Sequence, residues 1–253
     1  MRVFALSDVH VDYDVNAKWI ANLSVSEYQD DVLILAGDVS DSRRLLDWCL
    51  GALARRFKQV LFVPGNHDLW VIRDDDGRNS LQKFDDVRAA VESSGASMEA
   101  FCERGLSIVP LLGWYDYSFG EPSGELRSLW MDYRACRWPS GWAERDVAAH
   151  FESFNDKQVT PKDGKVITYS HFLPRIDLMS RFIPGAGGFL DPVLGSTRLE
   201  GQLRRLDATI HVYGHSHSNR HVTIDGVTYI NNAFGYPGET SIASKRLLCI
   251  HEC

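Results

Sequence analysis

Five short clusters of acidic, amide and imidazole side chains stand out because together they could hold metal ions. The clusters are Asp8-Val9-His10, Gly37-Asp38-Val39-Ser40-Asp41, Gly65-Asn66-His67-Asp68, Ser170-His171 and Gly214-His215-Ser216-His217. So many carboxylates and imidazoles could hardly share one cleft alone, whereas cations supply the missing charge and turn repulsion into coordination. Mixed oxygen and nitrogen donors suit manganese, iron, zinc or nickel, while an all-oxygen site favours magnesium or calcium.

Each cluster also has an ordinary structural explanation. Asp8, Asp38 and Asp41 could cap helices, Asn66 could close a turn, and the histidines could be hydrogen-bonded core residues. This explanation accounts for any single cluster. It does not account for five of the nine histidines falling where strands are predicted to end, so the ordered set favours one shared site.

Short apolar runs precede the clusters and predict buried strands. The runs cover residues 3–6, 32–35, 60–63, 107–112, 166–169 and 209–213. Apolar stripes at helical spacing predict helices over 42–57, 81–91 and 143–154, and a capping box from Thr197 to Glu200 predicts another helix start. This alternation predicts an α/β fold with a partly parallel sheet, in which loops at the carboxyl ends of the strands converge on one crevice.

The character of the sequence changes after residue 218. Close-spaced runs at 221–224, 227–230 and 246–251, with a turn at Asp225-Gly226, predict a hairpin and an antiparallel meander. No repeat or linker divides the chain, so we predict a single domain over 1–253. An insertion or cap region at about 70–160 is expected to supply loops and helices that wall a cleft.

Charge and cysteine content exclude several classes of protein. The net charge of −7, from 27 basic and 34 acidic residues, disfavours sequence-indifferent binding to nucleic acid. Five scattered cysteines without a C-x-x-C pair indicate reduced thiols. No apolar run approaches the roughly 20 residues that span a bilayer, and no export signal precedes the first strand, so a cytoplasmic location without membrane attachment is predicted.

The ordered motifs D-x-H, G-D-x-x-D, G-N-H-D, H and G-H-x-H, between residues 8 and 217, resemble the calcineurin-like metallophosphoesterase superfamily. The resemblance implies two mixed β-sheets packed as a sandwich and flanked by helices, with a two-metal centre at one edge. In that centre the implied ligands are Asp8, His10 and His217 for the first metal and Asn66, His171 and His215 for the second, with Asp38 bridging both. The implied cofactors are two divalent transition metal ions, with manganese favoured over iron, zinc or nickel.

The resemblance also implies roles for residues beside the metals. His67 would protonate the leaving oxygen, and Asp41 matches the carboxylate that orients that imidazole, although Asp41 could equally be the N-cap of the following helix. Asp68 is expected to accept hydrogen bonds behind the ligands rather than to bind metal. Phosphoprotein phosphatases continue the second motif with Asp-Arg-Gly, whereas this chain has Asp41-Ser42-Arg43, which favours the broader phosphoesterase branch.

The activity implied by the resemblance is metal-dependent hydrolysis of a phosphomonoester or phosphodiester, through attack of a metal-bridging hydroxide on a small phosphorylated molecule or nucleotide. A nuclease of the same superfamily is one alternative, and the negative net charge counts against it. A non-catalytic binding scaffold on the same fold is another, and the presence of His67 with all seven implied ligands counts against that. The natural substrate and the oligomeric state remain open.

Two further groups of residues could contact the substrate. The candidates are Trp114, Tyr115 and Tyr117 among the aromatic residues and Arg134, Arg137 and Arg175 among the basic ones. The aromatic residues could stack on a flat group or pack in the core, and the arginines could bind phosphate or lie solvated at the surface. The region 189–194, preceded by a glycine-rich stretch at 184–188, is predicted to be a mobile loop after the His171 strand. The histidines outside the motifs are predicted to be structural or surface residues.

Overall fold

The chain forms two mixed β-sheets, here in a computed structural model that describes residues 1–74, 77–160, 162–179 and 188–253. The strands are β1 (Arg2–Leu6), β2 (Val32–Ala36), β3 (Gln59–Val63), β4 (Phe101–Glu103), β5 (Leu106–Pro110), β6 (Lys165–Tyr169), β7 (Ile210–Tyr213), β8 (Arg220–Ile224), β9 (Val227–Asn231) and β10 (Leu248–Glu252). The helices are α1 (Asp14–Ala21), α2 (Arg43–Ala54), α3 (Ser80–Ser94), α4 (Gly124–Leu129), α5 (Asp132–Ala135), α6 (Glu144–Asn155) and α7 (Thr197–Arg205).

The order of the strands brings several parallel strands to one edge. In the first sheet the order is β10-β1-β2-β3, with β1, β2 and β3 parallel and β10 antiparallel. In the second sheet the order is β4-β5-β6-β7-β9-β8, with antiparallel strands at the two edges and parallel pairs between them. The predicted α/β class with two mixed sheets and flanking helices is therefore confirmed.

The parallel strands in the interior of each sheet are apolar and buried. Every residue of β2 and of β5 is buried, as expected for strands covered on both faces. The apolar stripe of α2 lies in the same core, with Leu46, Leu50 and Leu53 buried. Among the described helices, none combines the length and apolar character that crossing a bilayer requires.

The C-terminal part differs from the predicted meander. The β8–β9 hairpin forms through Asp225 and Gly226, which both have positive φ, as predicted. However, β9 pairs in parallel with β7, and β10 crosses to the first sheet and pairs with β1. Local sequence indicates that a segment forms a strand, but the partner depends on where residues 232–247 carry the chain.

The start of α7 and the stretch 70–160 show further details that the sequence did not predict. The N-cap of α7 is Ser196 rather than Thr197, because Ser196 has extended φ and ψ angles and its hydroxyl accepts from the Arg198 N–H. In the stretch 70–160, β5 is an interior strand of the second sheet, while α5 brings Asp132 to the strand ends. The single-domain boundaries and the insertion stay a prediction.

Candidate metal centre and active site

The structure brings all seven implied metal ligands together at the carboxyl ends of five strands. Their ligand atoms form two groups, Asp8, His10, Asp38 and His217 in one and Asp38, His171 and His215 in the other, and within each group the atoms lie within 4.8 Å of one another. Asn66 joins the second group, since its Oδ1 lies 3.1 Å from Nε2 of His171. Asp38 alone belongs to both groups, which places it where a shared ligand would lie.

Unusual backbone geometry aims these side chains into the centre. Asp8, His10, Asp38, His215 and His217 all have left-handed φ angles between 42° and 67°. Such residues are uncommon outside glycine and cost about 1–3 kcal/mol each, so they persist only where the surroundings enforce them. Hydrogen bonds from the Asp8 and His10 N–H groups to the carbonyls of Gly37 and Asp38, at 2.9 and 3.0 Å, hold the first two loops together.

Asp68 fixes the loops after β2 and β3 from behind. Its buried carboxylate accepts four backbone N–H groups at 2.8–3.0 Å, from Asp38, Val39, Ser40 and Gly65. It lies in neither group of ligand atoms. The prediction that Asp68 accepts hydrogen bonds behind the ligands is confirmed.

In two of the histidines, the outer ring nitrogen, which points away from the centre, determines the protonation of the inner nitrogen, which points into it. His171 Nδ1 lies 2.9 Å from the Ala36 carbonyl and His215 Nε2 lies 3.0 Å from the Val193 carbonyl. Because a carbonyl oxygen only accepts, both of these nitrogens carry a proton and the inner nitrogens of the neutral rings carry lone pairs. Those inner nitrogens, His171 Nε2 and His215 Nδ1, are 3.2 Å apart. Two facing lone pairs beside an amide oxygen fit a cation, so the donor set suits a metal ion.

Charge in the centre is unbalanced without cations. Burial and the neighbouring carboxylates of Asp8 and Asp68 raise the pKa of Asp38 well above its ordinary value. Burial lowers the pKa of His10 to about 3. Burial alone would lower the pKa of His217 too, but Asp8 and Glu239 raise it to about 10. Divalent cations would compensate the carboxylates and occupy the histidine lone pairs at once.

Asn66 is oriented by a carboxylate that sequence reasoning missed. The carboxylate of Asp132 accepts from Asn66 Nδ2 at 2.9 Å and from the indole N–H groups of Trp70 and Trp130 at 2.7 and 2.8 Å. The Asn66 amide oxygen is thereby left facing His171. A single acidic residue inside the aromatic segment 130–133 was the available signal.

His67 lies at the edge of the centre and belongs to neither of the two groups of ligand atoms, called the donor groups below. Its ring stacks on Trp70 with centroids 3.6 Å apart, and its Nε2 is 3.9 Å from Asp38 Oδ2 and 3.4 Å from the Tyr236 hydroxyl. Burial and the neighbouring imidazoles lower the pKa of His67 to about 2. A neutral His67 can still donate a hydrogen bond from Nε2 towards a group bound at the metals.

Asp41 faces the same cavity from another side. Its carboxylate lies 3.1 Å from the Arg73 guanidinium, and among the described residues it makes no hydrogen bond to His67. The N-cap of α2 is Ser42, so the alternative role of Asp41 as N-cap is wrong. The orienting role of Asp41 stays a prediction, whereas Tyr236, which the sequence did not single out, contacts the His67 ring nitrogen.

A cavity of about 510 Å³ opens beside His10 and His67. Its remaining lining residues are Asp12, Tyr13, Asp41, Leu45, Trp70, Arg73 and Tyr236. The walls are therefore aromatic, with two carboxylates and one guanidinium among them. This combination suits an organic group that carries both apolar surface and hydrogen-bonding atoms.

The other substrate candidates lie elsewhere. Trp114 and Tyr115 are each 1% exposed, and Trp114 packs against Trp138 and Phe172, so the core alternative holds for this segment. Arg175 pairs with Asp177, Glu200 and Asp225, so its positive charge is already compensated by carboxylates. Residues 184–187, which precede the predicted loop at 189–194, lie outside the described residues, whereas the loop itself is described and contains a short 3-10 helix at Asp191–Val193.

Histidines outside the motifs have structural partners. His211 is buried in β7, where its ring nitrogens lie 2.8 and 3.1 Å from the hydroxyls of Thr168 and Ser170. His150 packs its ring against Trp142 and Phe151. Both placements agree with the prediction that the histidines outside the motifs are structural or surface residues.

Comparisons of the sequence and of the structure with known proteins both identify similar proteins. Residues 1–219 match the profile of the calcineurin-like phosphoesterases. The sequence is 29% identical to the Mycobacterium tuberculosis protein named [acyl-carrier-protein] phosphodiesterase PptH, over 94% of this chain and 78% of that protein. The crystal structure of phosphopantetheinyl hydrolase (PptH) from M. tuberculosis superposes with a TM-score of 0.77 at 28% identity, covering 94% of this chain and 90% of that one.

Proposed function

Since this chain belongs to the calcineurin-like phosphoesterase family and is a phosphoric ester hydrolase, we propose that it is a two-metal phosphodiesterase that releases a phosphopantetheinyl group from a carrier protein. The proposed ions are manganese, with iron, zinc or nickel as alternatives. The observation that carries the two-metal assignment is the position of Asp38 in both groups of ligand atoms. The substrate assignment is supported by the likeness to PptH, which extends over almost the whole chain.

The proposed ligands are assigned to the two ions according to the two groups of ligand atoms. Asp8, His10 and His217 would hold one ion, Asn66, His171 and His215 the other, and Asp38 both. When bound, two such ions supply an activated water for attack on phosphorus and positive charge for the phosphoryl oxygens.

The chain's own residues would orient the substrate and handle the leaving group. His67 points Nε2 towards the centre from the side of the cavity, where it can donate a proton or a hydrogen bond to the leaving oxygen. An anionic phosphate beside the imidazole favours its protonated form. The aromatic walls of the cavity, including Tyr13 and Trp70, would cover the organic part of the substrate and exclude water from it.

A direct assay tests the proposal. Purified protein loaded with Mn²⁺ is incubated with a phosphopantetheinylated carrier protein, and mass spectrometry follows the carrier. We expect a carrier lighter by one phosphopantetheine, together with free phosphopantetheine in solution. An unchanged carrier, with active hydrolysis of bis(p-nitrophenyl) phosphate, would overturn the carrier substrate but leave the phosphodiesterase; hydrolysis of p-nitrophenyl phosphate alone would indicate a monoesterase.

A cytoplasmic location is part of the same proposal. All five cysteines are free, as expected in a reducing compartment. Carrier proteins that receive a phosphopantetheinyl group would have to be present in that compartment.

A further inference from the structure

A loop outside the family-matched residues reaches the proposed metal centre. Residues 232–247 join β9 to β10 and follow the matched stretch, which ends at residue 219. The start of the loop docks on the end of β1, because Phe234 and Gly235 donate N–H groups to the carbonyls of Ser7 and Asp8 at 2.8 and 2.9 Å. Lys245 donates to the carbonyls of residues 234–236 at 2.7–3.3 Å and holds the loop from its other end.

The loop places the carboxylate of Glu239 beside His217, one of the proposed metal ligands. Glu239 Oε2 lies 2.6 Å from His217 Nδ1, and the same oxygen accepts from the Tyr236 N–H at 2.7 Å. In the neutral form of the ring that can bind a metal, Nδ1 keeps its proton towards Glu239 and the lone pair of His217 lies on Nε2. That atom is 3.1 Å from His10 Nε2 and 3.3 Å from Asp8 Oδ1.

The acceptor behind His217 differs from the acceptors behind His171 and His215. His171 and His215 donate to neutral main-chain carbonyls, whereas His217 donates to a carboxylate. A carboxylate acceptor withdraws the imidazole proton more strongly, so it makes the ring a more basic and more tightly binding ligand. The two donor groups therefore differ although each contains two histidines.

We propose that Glu239 is a positioning residue that makes the ion held by Asp8, His10 and His217 the more tightly bound of the two. The inference rests on the proposed two-metal centre. It places control of metal affinity in a loop that lies beyond the family motifs. It also orders the loading of the centre, with the His217 ion bound first.

Calorimetric titration of the metal-free protein with Mn²⁺ tests this. We expect the wild type to bind two ions with unequal affinity, and Glu239→Gln to weaken the tighter one by about 10- to 100-fold while the weaker one is unchanged. Glu239→Ala, which also removes the acceptor for the Tyr236 N–H, should weaken the same ion at least as much. Glu121→Gln, a change of the same kind at an exposed carboxylate paired with Arg145, should leave both affinities unchanged.

The outcomes separate the inference from the proposed function. Two ions with wild-type affinities in both Glu239 variants would overturn the inference alone. Equal weakening of both ions in Glu239→Gln would also overturn it, because that pattern indicates a general role in holding the loop. A wild-type protein that binds fewer than two Mn²⁺ would instead overturn the two-metal centre.

Discussion

His67 lies beside the proposed metal centre but is in neither group of ligand atoms. A substitution of His67 should therefore affect catalysis and leave metal binding unchanged. Replacing His67 by Ala removes the proposed proton donor, so we expect kcat on a phosphodiester with an alkoxide leaving group to fall by about 10²- to 10⁴-fold. A p-nitrophenyl ester needs little protonation of its leaving group and should lose less. Metal content measured by elemental analysis should stay at the wild-type value, because His67 is outside both donor groups. Unchanged turnover on the alkoxide diester would show that the acid role is wrong.

Asp38 is the residue whose substitution should affect both ions. Asn keeps the shape of the side chain but removes the negative charge, and the position is common to both groups of ligand atoms. We expect Asp38→Asn to bind less than one Mn²⁺ per chain after dialysis, as measured by elemental analysis. Asp47→Asn, at an exposed ion pair on α2, is the matched control and should keep the wild-type content. A variant that retains both ions would contradict the bridging role.

Residue types and their order were enough to predict which side chains converge, but not which other residues hold them in place. The seven implied ligands follow predicted strands in motifs, so their convergence could be inferred before the fold was known. Glu239, Tyr236 and Asp132 carry no motif, because their contacts with His217, His67 and Asn66 depend on tertiary folding.

At the level of elements, helices and strands with strong apolar periodicity could be recognised in the sequence, whereas the strand with which each strand pairs could not. The interior strands and α2, α3 and α6 appear close to their predicted positions. Helix α1 was missed because it is short and buries only Asn16 and Ile20, which leaves no apolar stripe to recognise. The placement of β10 beside β1 is a long-range pairing, which no local pattern encodes.

The loops after β2 and β3 should depend on Asp68 for their stability. Each Asp68 oxygen accepts two backbone N–H groups, so Asp68→Asn would turn an amide NH₂ towards N–H donors and leave two of them unpaired in the core. We expect the free energy of unfolding to fall by about 2–4 kcal/mol, measured by urea denaturation of the metal-free protein. Asp47→Asn, at an exposed pair, should change it by less than about 1 kcal/mol. Equal small effects of the two substitutions would contradict the anchoring role.

On the scale of the whole molecule, the proposed ions would join the two sheets. Asp8, His10, Asp38 and Asn66 follow strands of the first sheet, whereas His171, His215 and His217 follow strands of the second. Both donor groups contain ligands from each sheet. Each ion would therefore act as a cross-link between the sheets, and the unfolded chain, in which the ligands are far apart, would offer no comparable site.

Removal of metal should accordingly lower the stability of the whole chain. At free Mn²⁺ about 100-fold above Kd, one ion adds about 2.7 kcal/mol, and for a chain of this size each kcal/mol moves Tm by about 2–4 °C. We therefore expect EDTA to lower Tm by about 5–10 °C per bound ion in differential scanning calorimetry, and re-addition of Mn²⁺ to restore it. His171→Ala should reduce the EDTA-sensitive part of Tm, since one anchor of the second sheet is gone. A Tm that is the same with EDTA and with Mn²⁺ would mean that the sheets hold together at this edge without help from ions.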